Sequence, residues 1–170
     1  MLFGIEKGIF CQQVNCQNVM GAGLAKAIMK EYPIVAEMYH KAFEKNAKEE
    51  LFGRIQMVQV EPDLWVANLF TQFSYGNPAK SGKIYTDVDK LVLAIRGILR
   101  NPNFDTAPVY VPYGIGCGFG GEDWKNVEDR LLNINRNISC PWTVDQTRLI
   151  IWDTRNCREF APKIEDLELP

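Results

Sequence analysis

The sequence has one histidine, His40, and five scattered cysteines with no paired metal-ligand spacing: Cys11, Cys16, Cys117, Cys140 and Cys157. An odd number of dispersed cysteines does not form the disulfide framework of a secreted protein, and it does not provide a zinc site. These absences indicate reduced thiols, and we expect a cytoplasmic protein that holds no metal and needs no cofactor.

Long apolar runs and excess charge are also missing. No stretch approaches the roughly 18–20 uninterrupted apolar residues of a membrane span, and the N-terminus lacks the apolar run of a signal peptide. The formal net charge is −2, so the surface as a whole does not attract nucleic acid or anionic membranes. We expect a monomer with no membrane partner and no strong nucleic-acid footprint, in which local dipoles hold any anionic ligand.

The chain of 170 residues fits one domain over 1–170, with a C-terminal tail over 158–170. Strand-like runs at 8–14, 55–60, 64–69, 107–112 and 148–152 alternate with helix-like periodicity. The second and third runs are joined at 61–63 as a hairpin, and Thr86 is the predicted N-terminus of a helix. This pattern predicts an α/β protein, a three-layer α/β/α sandwich around a mixed central sheet, with loops at 71–82, 101–106 and 137–147.

Two glycine-rich segments, residues 14–25 and 111–121, each follow a strand-like run and lead into a helix-like pattern. Such loops present free backbone N–H groups and a helix N-terminus at the carboxyl end of a strand. Glycine lets the backbone take positive φ and approach a phosphate closely, and we expect this conformation at Gly118. Together the two loops predict a cradle for a pyrophosphate.

The second segment also matches the dinucleotide-binding pattern G-x-G-x-x-G at Gly116, Gly118 and Gly121. That fingerprint belongs to the first strand–helix turn of a larger fold, whereas only about fifty residues follow here. Asn135 and Arg136 stand where an acidic residue is needed about twenty residues on. We therefore reject the dinucleotide-binding interpretation.

The residues of both loops resemble the macrodomain family. Asn15 with residues 20–25 and 32–33 resembles its first loop and helix, residues 67–72 resemble its central strand, and residues 112–118 with Trp124 resemble its phosphate loop. The form of this phosphate loop is similar to that of the ADP-ribose-1''-phosphate phosphatase-like branch. The resemblance covers roughly residues 8–152 and implies a three-layer α/β/α domain that binds ADP-ribose.

By this resemblance, Asn15 contacts the terminal ribose, residues of the first loop pass under that ribose, and residues of the second wrap the diphosphate. Four aromatic residues are candidates to stack on adenine or ribose, with packing as the alternative for each: Phe70, Phe73, Tyr75 and Tyr113. Tyr75 is the best candidate for a lid. The expected binding residues are Asn15, Met20, Gly21, Ala22, Gly23, Tyr75, Tyr113, Gly114, Ile115, Gly116, Cys117, Gly118 and Phe119. For Asn15 there is an alternative, in which its side chain holds its own loop as a turn residue.

Four positions depart from the family pattern. The Asp that contacts adenine is absent, with Glu6 as a weak substitute, and Gln12 stands where fungal phosphatase-like members have a histidine. Gln72 stands where one hydrolase subclass has a lysine, and Gly120 stands where some members have an aspartate. These departures weigh against the lysine-dependent removal of ADP-ribose.

Asp123 borders the second loop and is the best carboxylate for a catalytic base, although the start of a helix favours negative charge there in any case. His40 lies in a helix-like pattern as a surface residue, and Cys16 and Cys117 are interpreted as packing residues because no nearby His or Lys lowers their pKa. The catalytic candidates are therefore Asn15 and Asp123.

The sequence thus predicts an ADP-ribose-binding hydrolase, a phosphatase that converts ADP-ribose 1''-phosphate to ADP-ribose and phosphate. One alternative is a reader that binds ADP-ribose without catalysis. Another is a hydrolase that removes ADP-ribose from protein or nucleic acid by a route that does not use the missing lysine. The sequence does not distinguish the physiological substrate among these.

Overall fold

The computed structural model describes residues 1–135 and 144–160. Its strands are β1 (Gly8–Asn15), β2 (Ile55–Glu61), β3 (Leu64–Gln72), β4 (Val109–Pro112), β5 (Leu149–Asp153) and β6 (Arg158–Glu159). They form one sheet in the spatial order β2-β3-β1-β4-β5-β6. The central pairs are parallel, and the pairs β2–β3 and β5–β6 are antiparallel. The predicted mixed sheet and its hairpin are confirmed.

The helices are α1 (Gly23–Glu31), α2 (Pro33–Lys45), α3 (Lys48–Leu51), α4 (Pro78–Ser81), α5 (Val88–Leu99) and α6 (Trp124–Leu132). Side chains of β1 alternate between two layers of these helices, as expected for a strand buried on both faces. Phe10 packs in one cluster with Ile28 of α1 and Val35 of α2, whereas Ile9 packs in another with Leu91 of α5 and Leu131 of α6. The three-layer α/β/α sandwich follows from this alternation.

The structure corrects the sequence interpretation at the start of α5. The helix is capped by Asp87, whose carboxylate accepts a hydrogen bond from the Lys90 N–H at 2.9 Å. A carboxylate at this position also complements the helix dipole, so it is a better cap than the preceding threonine. The Thr86 hydroxyl instead donates to the Gly116 carbonyl at 2.8 Å and reaches the second glycine loop.

Short elements occur where the sequence predicts loops or a tail. The helix α4 lies inside the predicted loop 71–82, and α3 precedes β2 with no sequence signal that we recognised. The first residues of the predicted tail form β6, which pairs with β5. The described residues do not include the rest of that tail, from 161 on. They also do not include residues 137–143 of the predicted loop, among them Cys140. Within the described ranges, no helix combines the length and hydropathy needed to cross a bilayer.

An irregular step in the pairing of β1 with β3 shapes the carboxyl ends of both strands. Val14 pairs with Phe70, but the next residue, Asn15, pairs with Gln72, so Thr71 is an extra residue on β3. A bulge of this kind bends the strand and changes the direction of the side chains that follow it. Asn15 and Gln72 consequently lie side by side where the first glycine loop begins.

Candidate functional site

A cleft of about 710 Å³ opens at the carboxyl ends of β1, β3 and β4, and Thr154 after β5 also lines it. Almost all of the expected binding residues border it: Asn15, Met20, Gly21, Ala22, Gly23, Tyr75, Tyr113, Gly114, Ile115, Gly116, Gly118 and Phe119. The two glycine loops therefore come together in space, as their positions after adjacent parallel strands predict.

The first wall of the cleft is the N-terminus of α1. Its N-cap residue is Ala22, which provides no side-chain hydrogen bond, and its first turn contains no acidic residue. In contrast, Asp87 and Asp123 cap α5 and α6 with their carboxylates. The backbone N–H groups at the start of α1 thus remain available, and the positive end of the helix dipole faces the cleft.

The second wall is the loop over residues 113–121. The backbone N–H groups of Gly116, Gly118 and Phe119 donate no hydrogen bond to any group in the described ranges. The Phe119 ring would lie 3.8 Å from a Cβ on Gly23, so the two loops approach each other across the cleft. Successive free N–H groups of this kind form an anion-binding nest.

Contacts from residues 85–86 hold this second loop in place. The N–H groups of Tyr85 and Thr86 donate to the Gly120 carbonyl at 2.7 and 3.1 Å, and the Thr86 hydroxyl donates to the Gly116 carbonyl. The Gly116 carbonyl also accepts from the Glu122 N–H at 3.1 Å. The loop carbonyls are thereby bound by residues that do not line the cleft.

The cleft is electrically neutral at the level of its side chains. The residues that line it, among those that the structure describes, include glutamines, asparagines and tyrosines but no Lys, Arg, His, Asp or Glu. Backbone N–H groups and amide side chains are therefore its hydrogen-bond donors for an anion. The described residues also contain no group of three His, Cys, Asp or Glu side chains that could hold a metal ion.

Asn15 has most of its hydrogen-bonding capacity engaged within its own loop. Its Oδ1 accepts from the Gln17 N–H at 2.9 Å and lies 3.0 Å from the Tyr39 hydroxyl, and its Nδ2 donates to the Val19 carbonyl at 2.6 Å. Because a backbone N–H must meet an oxygen, these bonds fix which amide atom is Oδ1. One Nδ2 hydrogen remains for a ligand, so the side chain can hold the loop and also contact a ribose.

Asp123 and Cys117 do not line the cleft. The Asp123 carboxylate accepts from the Lys125 N–H at 3.4 Å as the N-cap of α6, which accounts for an acidic residue there without a catalytic role. Burial, with Glu122 and Asp123 nearby, raises the pKa of the Cys117 thiol to about 11, and burial raises that of Cys16 to about 11. Both thiols are therefore protonated at neutral pH, which agrees with a packing role.

The two ends of the cleft differ in chemistry. At one end, Gln13 and Gln72 lie beside Asn15 and form a polar, amide-rich surface. At the other end, Tyr113 stacks on Phe160 with ring centroids 4.2 Å apart and meets the edge of Trp124. Tyr75 is 53% exposed and lines the cleft near its amide-rich end.

Sequence reasoning did not select Gln13, Gln72, Asn77 or Thr154 as binding residues, although all four line the cleft. For the two glutamines a signal was available, because each stands near the carboxyl end of its strand, where the glycine loops also begin. Asn77 and Thr154 lie in connecting segments, and only the fold brings them to the cleft. Glu6, the substitute considered for the missing adenine-binding Asp, is exposed and does not line the cleft.

Comparisons with known proteins agree with this geometry. No protein-family model matches the sequence. A macrodomain of Mycobacterium tuberculosis DarG has a similar structure, with a TM-score of 0.63, 26% identity, and coverage of 79% of this chain and 84% of that one. A macrodomain protein from Streptomyces coelicolor has a TM-score of 0.55 at 26% identity, with coverage of 77% and 86%.

The chain belongs to the macrodomain family. A curated relative, the DNA ADP-ribosyl glycohydrolase of Mycobacterium bovis, is 32% identical over 123 residues, which are 71% of this chain. The matched part is 32% of the relative's length, so this macrodomain spans about a third of that protein. The expected fold is confirmed, and the comparisons do not single out the phosphatase-like branch within the family.

The glycines of the second loop differ in what they require, and the expectation of positive φ at Gly118 is wrong. In this loop Gly114, Gly116 and Gly121 have positive φ, and Gly118 does not. A Cβ on Gly118 would also meet nothing within 4 Å, so neither its backbone conformation nor its surroundings require glycine. A Cβ on Gly120 would lie 2.0 Å from the Thr86 hydroxyl oxygen and 2.3 Å from the Gly116 carbonyl oxygen. Gly120 is thus required by the close packing of residues 85–86 against the loop.

We predict that Gly120→Ala lowers the melting temperature and that Gly118→Ala does not. Side chains at Gly120 displace the loop from Thr86, and strain of this kind costs about 1–3 kcal/mol. Thermal denaturation of both variants beside the wild-type protein measures the difference. Equal melting temperatures for the two variants would contradict the packing described here.

Proposed function

We propose that the cleft binds ADP-ribose. The observation that carries this proposal is the uncapped N-terminus of α1 facing the free N–H groups of the second loop, in a cleft without charged side chains. Such an arrangement suits a diphosphate, which these neutral donors can hold at the centre of the cleft. The terminal ribose then lies at the amide-rich end near Asn15, and the adenine lies toward Tyr113 and Thr154.

We further propose that the protein is a hydrolase that acts on ADP-ribosylated DNA. The similarity to the mycobacterial DNA ADP-ribosyl glycohydrolase supports this substrate class. The net charge of −2 provides no extended attraction to a nucleic acid backbone. We therefore expect recognition to be confined to the ADP-ribosyl group and the nucleotide that carries it.

ADP-ribose 1''-phosphate is the second candidate substrate. The described residues of the lining include no carboxylate, which favours this substrate because an additional phosphate at the ribose end meets no like charge from them. The resemblance of the phosphate loop to the phosphatase-like branch points in the same direction. In both reactions a bond to C1'' of the terminal ribose, or to the group attached there, is hydrolysed.

For either substrate, catalysis would depend on positioning and electrostatic stabilisation. The loops orient the terminal ribose, and a water held near Asn15 and near the ligand's own diphosphate attacks. It attacks either C1'' of the ribose, from which the DNA departs, or the phosphorus of the 1''-phosphate, from which the ribose oxygen departs. N–H donors stabilise the developing charge. The described residues that line the cleft include no carboxylate and no histidine. The diphosphate oxygens are weak bases, so their role toward that water is to accept its hydrogen bond and orient it. If the cleft lacks activity on all substrates, the protein is a reader that binds ADP-ribose.

ADP-ribose should bind and AMP should bind much more weakly, because AMP lacks the second phosphate and the terminal ribose. Calorimetric titration with each ligand measures this difference.

Gly118→Glu should abolish ADP-ribose binding, since it places a carboxylate in the cleft at a position with room for a side chain. Gly118→Gln is the matched neutral control and should retain most of the affinity. Calorimetry measures all three, and equal binding by the Glu variant and wild type would show that this loop does not hold the diphosphate.

Incubation of the purified protein with ADP-ribosylated DNA, ADP-ribosylated protein and ADP-ribose 1''-phosphate tests the reaction. We expect ADP-ribose to be released from the DNA substrate at the highest rate. Chromatography of ADP-ribose and assay of inorganic phosphate distinguish the substrates. Phosphate release alone would establish the phosphatase, and binding with no product from any substrate would establish the reader.

Asn15→Ala should lower the rate on the preferred substrate by roughly 10²-fold, the loss typical of removing one positioning or charge-stabilising group. It should also reduce stability, because the buried Tyr39 hydroxyl loses one of its partners. Asp123→Asn should leave the rate unchanged, since asparagine also caps a helix and the residue lies outside the cleft. A comparable loss of rate in Asp123→Asn would instead assign the carboxylate to the chemistry.

A further inference from the structure

Gln13 and Gln72 line the amide-rich end of the cleft, and they differ in the hydrogen bonds of their side-chain amides. Gln13 donates from Nε2 to the Thr71 hydroxyl at 2.9 Å, and its Oε1 lies 3.1 Å from the Thr86 hydroxyl, which shares its one hydrogen between this oxygen and the Gly116 carbonyl. Gln72 is 8% exposed, and its Nε2 is buried with no hydrogen-bond acceptor among the described residues. Removing an amide from water without a partner is unfavourable, so this group requires an explanation.

The position of Gln72 is fixed by backbone contacts on both sides. Its carbonyl accepts from the Cys16 N–H at 2.8 Å, its Cα is in register with that of Asn15, and it forms a bridge with Thr86. The main chain is therefore held by two neighbouring segments, residues 15–16 and Thr86, and only the side chain can adjust. The terminal torsion of a glutamine is broad, so the amide can turn and present Nε2 to the cleft.

We propose that Gln72 is a specificity-determining residue that donates a hydrogen bond from Nε2 to an oxygen at the terminal-ribose end of the ligand. This inference rests on the proposed binding of ADP-ribose. Adjacent strands lie about 5 Å apart, so a ligand oxygen near Asn15 is within reach of the neighbouring glutamine. The ligand oxygen supplies the acceptor that the protein itself does not provide.

If the Gln72 amide donates only to a ligand, its removal should weaken ligand binding without lowering the melting temperature. Replacing a satisfied buried amide by an apolar side chain of similar shape lowers stability, whereas replacing an unsatisfied one does not. Gln72→Met should therefore keep or raise the melting temperature while weakening ligand binding. Gln13→Met is the matched control, and it should lower the melting temperature because it removes the hydrogen bond from the Gln13 amide to the Thr71 hydroxyl.

The test measures the melting temperature of wild type, Gln72→Met, Gln72→Glu and Gln13→Met, together with calorimetric titration by ADP-ribose and by ADP. We expect Gln72→Met to bind ADP-ribose roughly tenfold more weakly, the effect of losing about one hydrogen bond. Gln72→Glu should bind it more weakly still, since a carboxylate has no donor and repels the diphosphate. Binding of ADP, which lacks the terminal ribose, should be unchanged in Gln72→Met.

Each contrary result identifies what fails. If wild type binds ADP-ribose and Gln72→Met binds it equally well, the proposed role of Gln72 is overturned and the proposed function stands. The same conclusion follows if Gln72→Met lowers the melting temperature as much as Gln13→Met does. If Gln72→Met weakens ADP and ADP-ribose equally, Gln72 does not act at the ribose end and the proposal is also overturned. If wild type binds no ADP-ribose, the proposed function and this inference both fail.

Discussion

The cleft depends on the hydrogen bonds by which Thr86 joins three separate segments. Its hydroxyl lies within bonding distance of the Gly116 carbonyl and of Gln13 on β1, and its N–H reaches the Gly120 carbonyl. A loop of this kind has no regular partner for its carbonyls, and unpaired carbonyls beside the cleft would repel an anion. Because residues outside the cleft bind these carbonyls, the loop can present N–H groups to a ligand. One threonine before a helix thus sets the polarity of the site.

The N-terminus of α1 differs from those of α5 and α6 in its lack of a capping carboxylate. Asp87 and Asp123 neutralise the N-termini of α5 and α6, whereas Ala22 leaves that of α1 open toward the cleft. A capping residue typically contributes about 1 kcal/mol, so its absence at one helix has a cost in stability. An anionic ligand at the same place recovers that interaction. The uncapped N-terminus of α1 and the free N–H groups of the second loop therefore contribute to the same anion-binding site.

Much of the fold could be predicted from the sequence because its signals are local. The alternation of strand-like and helix-like periods and the hairpin at 61–63 gave the mixed sheet, and the two glycine loops gave the place of the cleft. The roles of Thr86 and Gln72 could not be predicted in this way. Thr86 bonds to Gly116, thirty residues away, and Gln72 is aligned with Asn15 only through the bulge at Thr71. Such contacts between distant segments have no period or spacing in the chain.

The composition of the cleft limits how it can accelerate a reaction. The described residues of its lining include no Lys, His, Asp or Glu, so they offer no side chain that exchanges a proton near neutral pH. Orientation of a bound water against a fixed ribose can still contribute roughly 7–11 kcal/mol in well-aligned systems. That contribution requires rigid supports, which this chain provides through Asn15, whose amide is fixed by Gln17, Val19 and Tyr39. A neutral and rigid cleft can therefore be hydrolytic by orienting the water, with the substrate's own diphosphate oxygens accepting its hydrogen bond.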